Sequence, residues 1–476
     1  MGSHSATGYV DDVPYAFSFT REVAPAWLDF VATLSGFGTP SRTGGFAWCE
    51  LGCGQGVTAI VLAGTHPAGE FHGIDAYAPH IRNARRLSEA AGVTNLALHA
   101  LDFASAVDID LPRFDYIVAH GVYSWIDSRG REDLRRFVDR RLKPDGLVFV
   151  SYNAMPGWAL DAPFQFLLRE VAATHAGDSI AQFGAAMKVA DALAAADAPA
   201  LTRSPMLTFG VERLRKTLPE SYFAHEFLPP AWQPLYVSQV RAEMAGIGLV
   251  PAGSGTVRNN FDSFVLRRAA RDALAALPAG DLRELARDFF LNQRLRRDVF
   301  VRADGARRLG DEERSRRLAE SVFDLQQPAG LVEYAMTTEA GRVDFANHTA
   351  RAIVAALDAG PAPLTEVAGG HSRRELLASA LALCAANDIR PVGPDSADVG
   401  RLNAALIDHV ERTETPRFLA LPHGTAVSVP PALPRALRDG SAVPDELLPW
   451  LEFLDRRGVW TESRRGAGED VVRRRA

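Results

Sequence analysis

Phe46–Gly56 reads F-A-W-C-E-L-G-C-G-Q-G, and the helix-like run Val57–Leu62 follows it. An apolar run closes on an acid, Glu50, and glycines then occupy the alternate positions Gly52, Gly54 and Gly56. This order predicts a strand, a tight turn and a helix start. Backbone without a Cβ lets a ligand lie against it, and the first turn of a helix offers N–H groups with no internal partner. A dinucleotide fingerprint G-x-G-x-x-G would place glycine at position 57, where Val57 stands, so that fingerprint fails by one residue.

Outward from this stretch, strands and helices alternate. Glu70–Asp75 is a second strand ending in Asp75, an acid about twenty residues past the turn and well placed to accept hydrogen bonds from a ribose diol. Capping of the next helix is the alternative role for it. Helix Ala78–Ala91 stops at Gly92, strand Asn95–Ala100 runs into Leu101-Asp102-Phe103, and strand Phe114–Ala119 runs into His120–Ile126. Helix Arg131–Leu142, a turn at Lys143–Gly146 and strand Leu147–Ser151 follow. Such alternation implies right-handed crossovers and a parallel sheet, with ligands at the C-terminal ends of the strands, where each of these motifs falls.

The flanks are less regular. An aromatic segment, Tyr9–Thr20, and a helix, Ala24–Leu34, precede the first strand. Helices Phe164–Ala173 and Ile180–Ala195 read as an insertion above the pocket; a helix at Gln233–Gly246 and strands at Leu249–Val257 and Asp262–Arg268 then close the sheet. Asp281–Phe300 reads as an arginine-rich helix, with either a solvated face or a partner surface. Beyond it, strands at Val332–Met336 and Arg342–Phe345, helices Thr349–Asp358 and Arg373–Asn387 and a strand at Ile389–Val392 suggest a winged-helix-like module. Helix Arg373–Asn387 has only Arg373 and Arg374 as cations, too few for a groove reader. The tail carries Arg473, Arg474 and Arg475.

Composition narrows the classes. The 476 residues suggest about three domains. With 47% hydrophobic residues there is ample core, and a net charge of −6 argues against nucleic acid or an anionic membrane as partner. Lysine occurs only at Lys143, Lys188 and Lys216, so arginine carries nearly all the positive charge. Cys49, Cys53 and Cys384 make no disulfide framework or metal-ligand spacing. The longest apolar run, Leu376–Ala386, is too short for a membrane span, and Met1–His4 has no signal-peptide character, so a cytoplasmic location is expected.

E-x-G-x-G-x-G over Glu50–Gly56 resembles the first motif of class I S-adenosylmethionine (SAM) methyltransferases. F-D-Y-I-V-A-H-G-V-Y-S-W (Phe114–Trp125) with S-Y-N-x-x-P-G-W (Ser151–Trp158) narrows the resemblance to bacterial methyltransferases with a methyltransferase regulatory domain, a group that includes the rickettsial-type protein lysine methyltransferases. Tyr9, Pro14 and Tyr15 fit that family's opening, whereas Phe17–Glu22 departs from it. The resemblance implies an α/β, Rossmann-like seven-stranded core with a helical insertion and α+β accessory domains. It divides the chain into an N-terminal cover segment (1–30), a SAM-binding core (31–159), the insertion (160–220), completion of the sheet (221–270), a helical regulatory region (271–330) and a C-terminal accessory domain (331–476). SAM would be the cofactor and S-adenosylhomocysteine its product.

The expected site follows from the same family. Glu50 would hold the methionine ammonium, Gly52, Gly54 and Gly56 would permit close approach, and Asp75 with Ala76 would hold the ribose. Asp102 and Phe103 would meet the adenine, and His120, Gly121 and Val122 would run beneath the methionine moiety. For the acceptor, Tyr15, Tyr123, Trp125 and Trp158 would form an aromatic slot, with Tyr152 and Asn153 beside it and His120 or Tyr152 taking a proton. Core packing is the competing role for these rings. Three functions stay open: methylation of a protein amine such as lysine, methylation of a small natural product at O or N, and SAM binding by a regulator without turnover. A homodimer is compatible with each.

Overall fold

The computed structural model describes residues 12–459 apart from positions 14, 16, 43, 217, 395, 411–416, 440 and 442. Tyr9, Pro14 and the tail arginines Arg473, Arg474 and Arg475 lie outside the described residues. A seven-stranded sheet organises the rest: β1 (Phe46–Leu51), β2 (Gly69–Asp75), β3 (Leu96–Ala100), β4 (Phe114–Ala119), β5 (Leu142–Asn153), β6 (Leu249–Ser254) and β7 (Leu295–Arg302). Their order is β3-β2-β1-β4-β5-β7-β6. The first five run parallel, and β7 is antiparallel to both of its neighbours.

Every residue of β1 and of β4 is buried, as befits central strands covered on both faces. The crossovers match the pattern read from the sequence: α1 (Pro25–Leu34) precedes the sheet, α2 (Val57–Thr65) follows β1, α3 (Ala78–Ala91) follows β2, the single turn α4 (Phe103–Ala106) follows β3 and α5 (Ser128–Arg141) follows β4. Gly92, at φ +72°, ends α3 in the left-handed conformation that favours glycine.

After β5 come α6 (Ala162–Ala172), α7 (Ser179–Ala195), α8 (Pro199–Thr202), α9 (Val211–Arg215) and α10 (Glu220–Phe227). They share an apolar cluster of Phe164, Phe183, Phe223, Phe227 and Trp158, which also takes in Val13. Helix α11 (Val237–Ala245) then leads into β6.

The closing strand is not where its residues suggested. Asp262–Arg268, expected as a strand, holds the one-turn helix α12 (Asp262–Val265) and the start of α13 (Arg268–Ala275). The expected helix Asp281–Phe300 ends as α14 (Asp281–Leu291), capped by Asn292 at φ +43°. Its remainder becomes β7, so the sheet is completed from within the stretch read as a helical regulatory region. The cause is buried charge. Arg296, 6% exposed, bonds the carboxylates of Asp298 (3.1 Å), Asp288 (2.5 Å) and Glu284 (2.6 Å), and the Tyr152 hydroxyl donates to Asp298 at 2.8 Å. Arginine and aspartate on the inner side of a strand hide its alternation, and they are tolerated there because each is paired.

Toward the C-terminus a three-stranded sheet (Ala362–Pro363, Val322–Leu325, Ile389–Pro391) packs with helices His348–Asp358 and Arg373–Ala386. The expected pair of strands after position 331 is a hairpin, Ala335–Thr338 with Gly341–Asp344. This region shares one apolar core with the main sheet, in which Phe30 of α1 meets Phe323 edge-on at 5.6 Å. Among the described residues no helix is long and apolar enough to cross a membrane, and Cys49, Cys53 and Cys384 are buried and free.

Replacing Arg296 with alanine leaves three carboxylates facing one another under β7. The expected loss is about 3–5 kcal/mol, the range for breaking a buried pair from one side. An unchanged urea midpoint for Arg296→Ala would show that the cluster does not hold β7 in place.

Candidate active site

The glycine turn is tied down by β2. Gly52 and Cys53 donate their N–H groups to the Ile74 carbonyl at 2.8 and 3.0 Å, and Gly54 donates to Asp75 Oδ2 at 2.8 Å. Asp75 Oδ1 accepts from the Tyr77 N–H at 2.9 Å. Following these bonds puts Gly52 at φ +73° and Gly54 at +52°, where a side chain is strained. At Gly52 a Cβ would also stand 2.3 Å from Val122 Cγ2.

A cavity opens over this turn. Of the residues expected to hold a cofactor, Glu50, Gly52, Gly54, Asp75, Ala76, Phe103, His120, Gly121 and Val122 line it. Gly56 does not: it is the N-cap of α2, and a Cβ there would meet Ala84 of α3 at 2.8 Å, so its part is to seat two helices. Asp102 does not either. It is exposed, and its Oδ1 accepts from the Ser105 N–H at 2.8 Å as the N-cap of α4; the Ser105 hydroxyl first, then that N–H, hold its carboxyl below the usual range.

Two groups in the wall have buried polar atoms without a partner. Glu50 Oε2 makes no hydrogen bond; burial first, then the nearby Asp75 carboxylate, push Glu50 up to about 8. Neither ring nitrogen of His80 has a hydrogen-bond partner, although the residue is 2% exposed; Nδ1 lies 3.7 Å from Asp75 Oδ1. The sequence reading missed His80, together with Ser18, Thr20, Gln55, Tyr77 and Ile126 in the same wall. For Tyr77 and His80 a signal was available, since both fall within about one helical turn of Asp75.

On the other side His120 Nδ1 lies 2.9 Å from Ser151 Oγ, which accepts the Gly121 N–H at 2.8 Å. Burial, then the charge of Arg297, pull His120 down to about 4. A neutral ring accepting the serine proton at Nδ1 satisfies all three groups, and we assign that tautomer. Nε2 then carries the remaining proton, and a ring of lowered basicity with Nδ1 engaged by Ser151 is a poor match for the base expected of it.

The aromatic slot divides. Tyr15 and Trp125 line the cavity. Tyr123 does not: fully buried, it turns under the sheet to donate to Glu243, with Arg135 donating to its hydroxyl at 3.1 Å. Tyr152 is buried on the face of β5 opposite Ser151 and donates to Asp298, and burial then that carboxylate raise its pKa well above the ordinary phenol value. A donor locked in this way takes no proton from an acceptor. Trp158 belongs to the apolar cluster of α6–α10; its Nε1 donates to the Arg294 carbonyl at 3.0 Å, and the Arg294 guanidinium lies 4.2 Å from its ring centre. Asn153 stands outside the cavity wall, with Nδ2 buried and without a hydrogen bond. Among the described residues no group of three or more His, Cys, Asp or Glu is arranged to hold a metal.

Comparison with known proteins agrees with this geometry. Residues 49–148 match the family model described as "Methyltransferase domain", and residues 219–302 match "Predicted methyltransferase regulatory domain". The uncharacterized protein sll1526 of Synechocystis is 32% identical over 360 residues, 76% of this chain and 71% of that relative. The chain belongs to the class I SAM-dependent methyltransferases that carry a methyltransferase regulatory domain. The uncharacterized protein RP028 of Rickettsia prowazekii is 30% identical over 229 residues, covering 46% of this chain and 86% of the relative. Among solved structures, PKMT2 from Rickettsia typhi in complex with AdoHcy shares the fold across 96% of this chain and 97% of its own, with a TM-score of 0.68 at 18% identity.

The residues of this methyltransferase fit its cofactor. SAM supplies a methyl group activated by the sulfonium, so the protein's task is binding and alignment. Glu50, with a buried oxygen that has no partner, would receive the α-ammonium. Asp75, with one lone pair on each oxygen spent on backbone, keeps others for a hydroxyl pair. Phe103 would offer a ring face to the adenine, and the left-handed glycines would offer the cofactor a backbone without side chains to lie on.

In the free protein Glu50 is mostly protonated at pH 7, because its pKa stands near 8. An ammonium beside it favours the carboxylate, so binding at pH 7 releases up to about one proton and tightens as pH rises toward 8. Calorimetry of S-adenosylhomocysteine binding in buffers of different ionisation enthalpy should show this release, and Glu50→Gln should abolish it; equal release by the two proteins would remove Glu50 from the ammonium site.

Proposed function

We propose that this methyltransferase acts on a protein, at a side-chain amine, with lysine as the acceptor. The observation that carries the reading is the pair of aromatic side chains, Tyr15 from the segment before α1 and Trp125 from the loop after β4, in the wall of the cofactor cavity. A ring face attracts an amine that becomes cationic as it is methylated, by about 0.5–2 kcal/mol. Burial in the slot also raises the share of neutral, nucleophilic amine. Support comes as well from the resemblance to rickettsial-type protein lysine methyltransferases and from the likeness of architecture to Rickettsia typhi PKMT2 along nearly the whole chain. In this reading the described part of the N-terminal segment, from Asp12 on, covers the cofactor, the helices of 160–220 wall the acceptor entrance, and the accessory region after 331 grips the polypeptide.

The protein's contribution to rate is alignment. Holding the nucleophile in line with the methyl group removes several kcal/mol of barrier, up to about 7–11 in favourable cases. His120, neutral and bound to Ser151 through Nδ1, keeps the floor polar. Val122, against Gly52, fixes the height of that floor.

The test is incubation with methyl-labelled SAM and a bacterial lysate, followed by separation into protein and small-molecule fractions and acid hydrolysis of the protein. Label is expected in methylated lysine. Trp125→Ala should lower kcat/KM for the protein fraction while S-adenosylhomocysteine affinity changes less. Label confined to small molecules overturns the reading and favours a natural-product acceptor.

A further inference from the structure

His80 is an unused donor in the wall of the cofactor cavity. It lies in the first turn of α3, where its backbone N–H donates to the Tyr77 carbonyl at 3.0 Å and the next residue, Ile81, is sealed in the apolar cluster that α2 and α3 share. The ring is 2% exposed and meets Tyr77 at a right angle, with ring centres 4.7 Å apart. Neither Nδ1 nor Nε2 makes a hydrogen bond. In either protonation state an imidazole has at least one N–H to give. A buried donor left unmet costs free energy that a leucine or methionine in the same space would not incur.

The surroundings of the ring select the group that would meet it. His80 Nδ1 stands 3.7 Å from Asp75 Oδ1. That is too long for a hydrogen bond, but two hydrogen bonds of about 2.8 Å that meet at a single oxygen span such a distance. The shared oxygen must give a proton to the carboxylate and accept one from the imidazole. A hydroxyl does both. An ammonium has no lone pair to accept with, and a carbonyl or a carboxylate has no proton to give. Asp75 has the capacity, since the Gly54 and Tyr77 N–H groups take one lone pair on each oxygen and leave another.

We propose that His80 is a specificity-determining residue for the cofactor: its N–H donates to the oxygen of a ribose hydroxyl whose own proton is donated to Asp75. This rests on the placement of the ribose at Asp75. The two side chains read one hydroxyl from both sides, so a nucleoside without it leaves a buried donor and a carboxylate unmet. A site of this kind rejects the lacking analogue far more strongly than an apolar pocket rejects a missing methylene. His80 thereby separates ribonucleoside from deoxyribonucleoside sulfur compounds.

The test measures the affinity of the full chain for S-adenosylhomocysteine and for its 2′-deoxy and 3′-deoxy counterparts by calorimetry, in the wild type, His80→Phe, His80→Gln and Asp75→Ala. The wild type is expected to bind one of the deoxy compounds at least about tenfold more weakly than the parent. His80→Phe should weaken the parent about five- to tenfold, leave that deoxy compound within about twofold of its wild-type affinity, and shrink the difference between the two accordingly. His80→Gln keeps an N–H and should retain part of the difference. A purely structural role would weaken all three ligands alike; that result, or unchanged binding of the parent by His80→Phe, overturns the role of His80. Should His80→Phe not fold, the imidazole NMR signals of histidine-labelled wild type decide: one must shift on adding the parent and not on adding that deoxy compound, and the lack of such a difference overturns the proposal. The ribose placement is judged separately. Equal affinity of the wild type for all three ligands, or a hydroxyl preference that Asp75→Ala keeps undiminished, overturns that placement and the proposal with it. A preference that Asp75→Ala loses and His80→Phe keeps in full leaves the ribose at Asp75 and removes His80 alone.

Discussion

The bond between Asp75 and the Gly54 N–H joins the two strand ends on which the site stands. β1 and β2 are parallel neighbours, with Leu51 beside Ile74, so the loop after one passes the last side chain of the other. Asp75 takes an N–H from each side of the crevice, Gly54 and Tyr77, and a charged acceptor makes such bonds worth about 1.5–3 kcal/mol each. To present its N–H in this way the loop passes through left-handed backbone twice, and only glycine does so without strain. The same bend brings Gly52 against Val122, which ties the loop after β4 to the other two. Three loops from three strands are thereby fixed around one carboxylate, and the cavity is the space left above them.

Roles that reside in backbone geometry were legible in the sequence. The alternate glycines, Asp75 at the end of β2 and the strand–helix alternation through β5 all state their place in the fold locally, because period, turn residues and strand ends agree with one topology. Roles that depend on distant partners were not legible. Tyr152 finds Asp298 and Tyr123 finds Glu243, 146 and 120 residues away, and those partners turn both rings from the cavity. Strand parity decides the matter as well: Ser151 faces His120, so the neighbouring Tyr152 faces the other way. β7 was hidden for a related reason, since its buried Arg296 and Asp298 are compatible with a central strand only once Glu284 and Asp288 of α14 are in place.

Glu50 and Asp75 show how one cleft gives two carboxylates different tasks. Asp75 accepts a backbone N–H on each oxygen, whereas Glu50 is buried, leaves one oxygen unpaired and keeps its proton. Its folded pKa, about 8, lies above the ordinary 4.5, so the free protein holds more protons than the unfolded chain between those values and this group's contribution to stability falls as pH rises through them. A bound ammonium reverses that cost. The free protein thus carries a cost at Glu50 that an ammonium bound beside it would relieve.

The acceptor side is built differently. Tyr15 has no strand beneath it and is held through its neighbours: Asp12 accepts from the Ser179 N–H at 2.7 Å and from its hydroxyl at 2.6 Å, and the Val13 carbonyl accepts from His225 at 2.9 Å. The N-terminal segment is therefore pinned to α7 and α10, and Val13 enters their apolar cluster. Neither piece forms its half of the slot alone. In the proposed reading the sheet and its three loops hold the cofactor, while the acceptor slot depends on a contact between the segment before α1 and helices about two hundred residues later. A fold of this kind can change its acceptor by altering α10 and the segment before α1, leaving the strand ends that hold the sulfonium as they are.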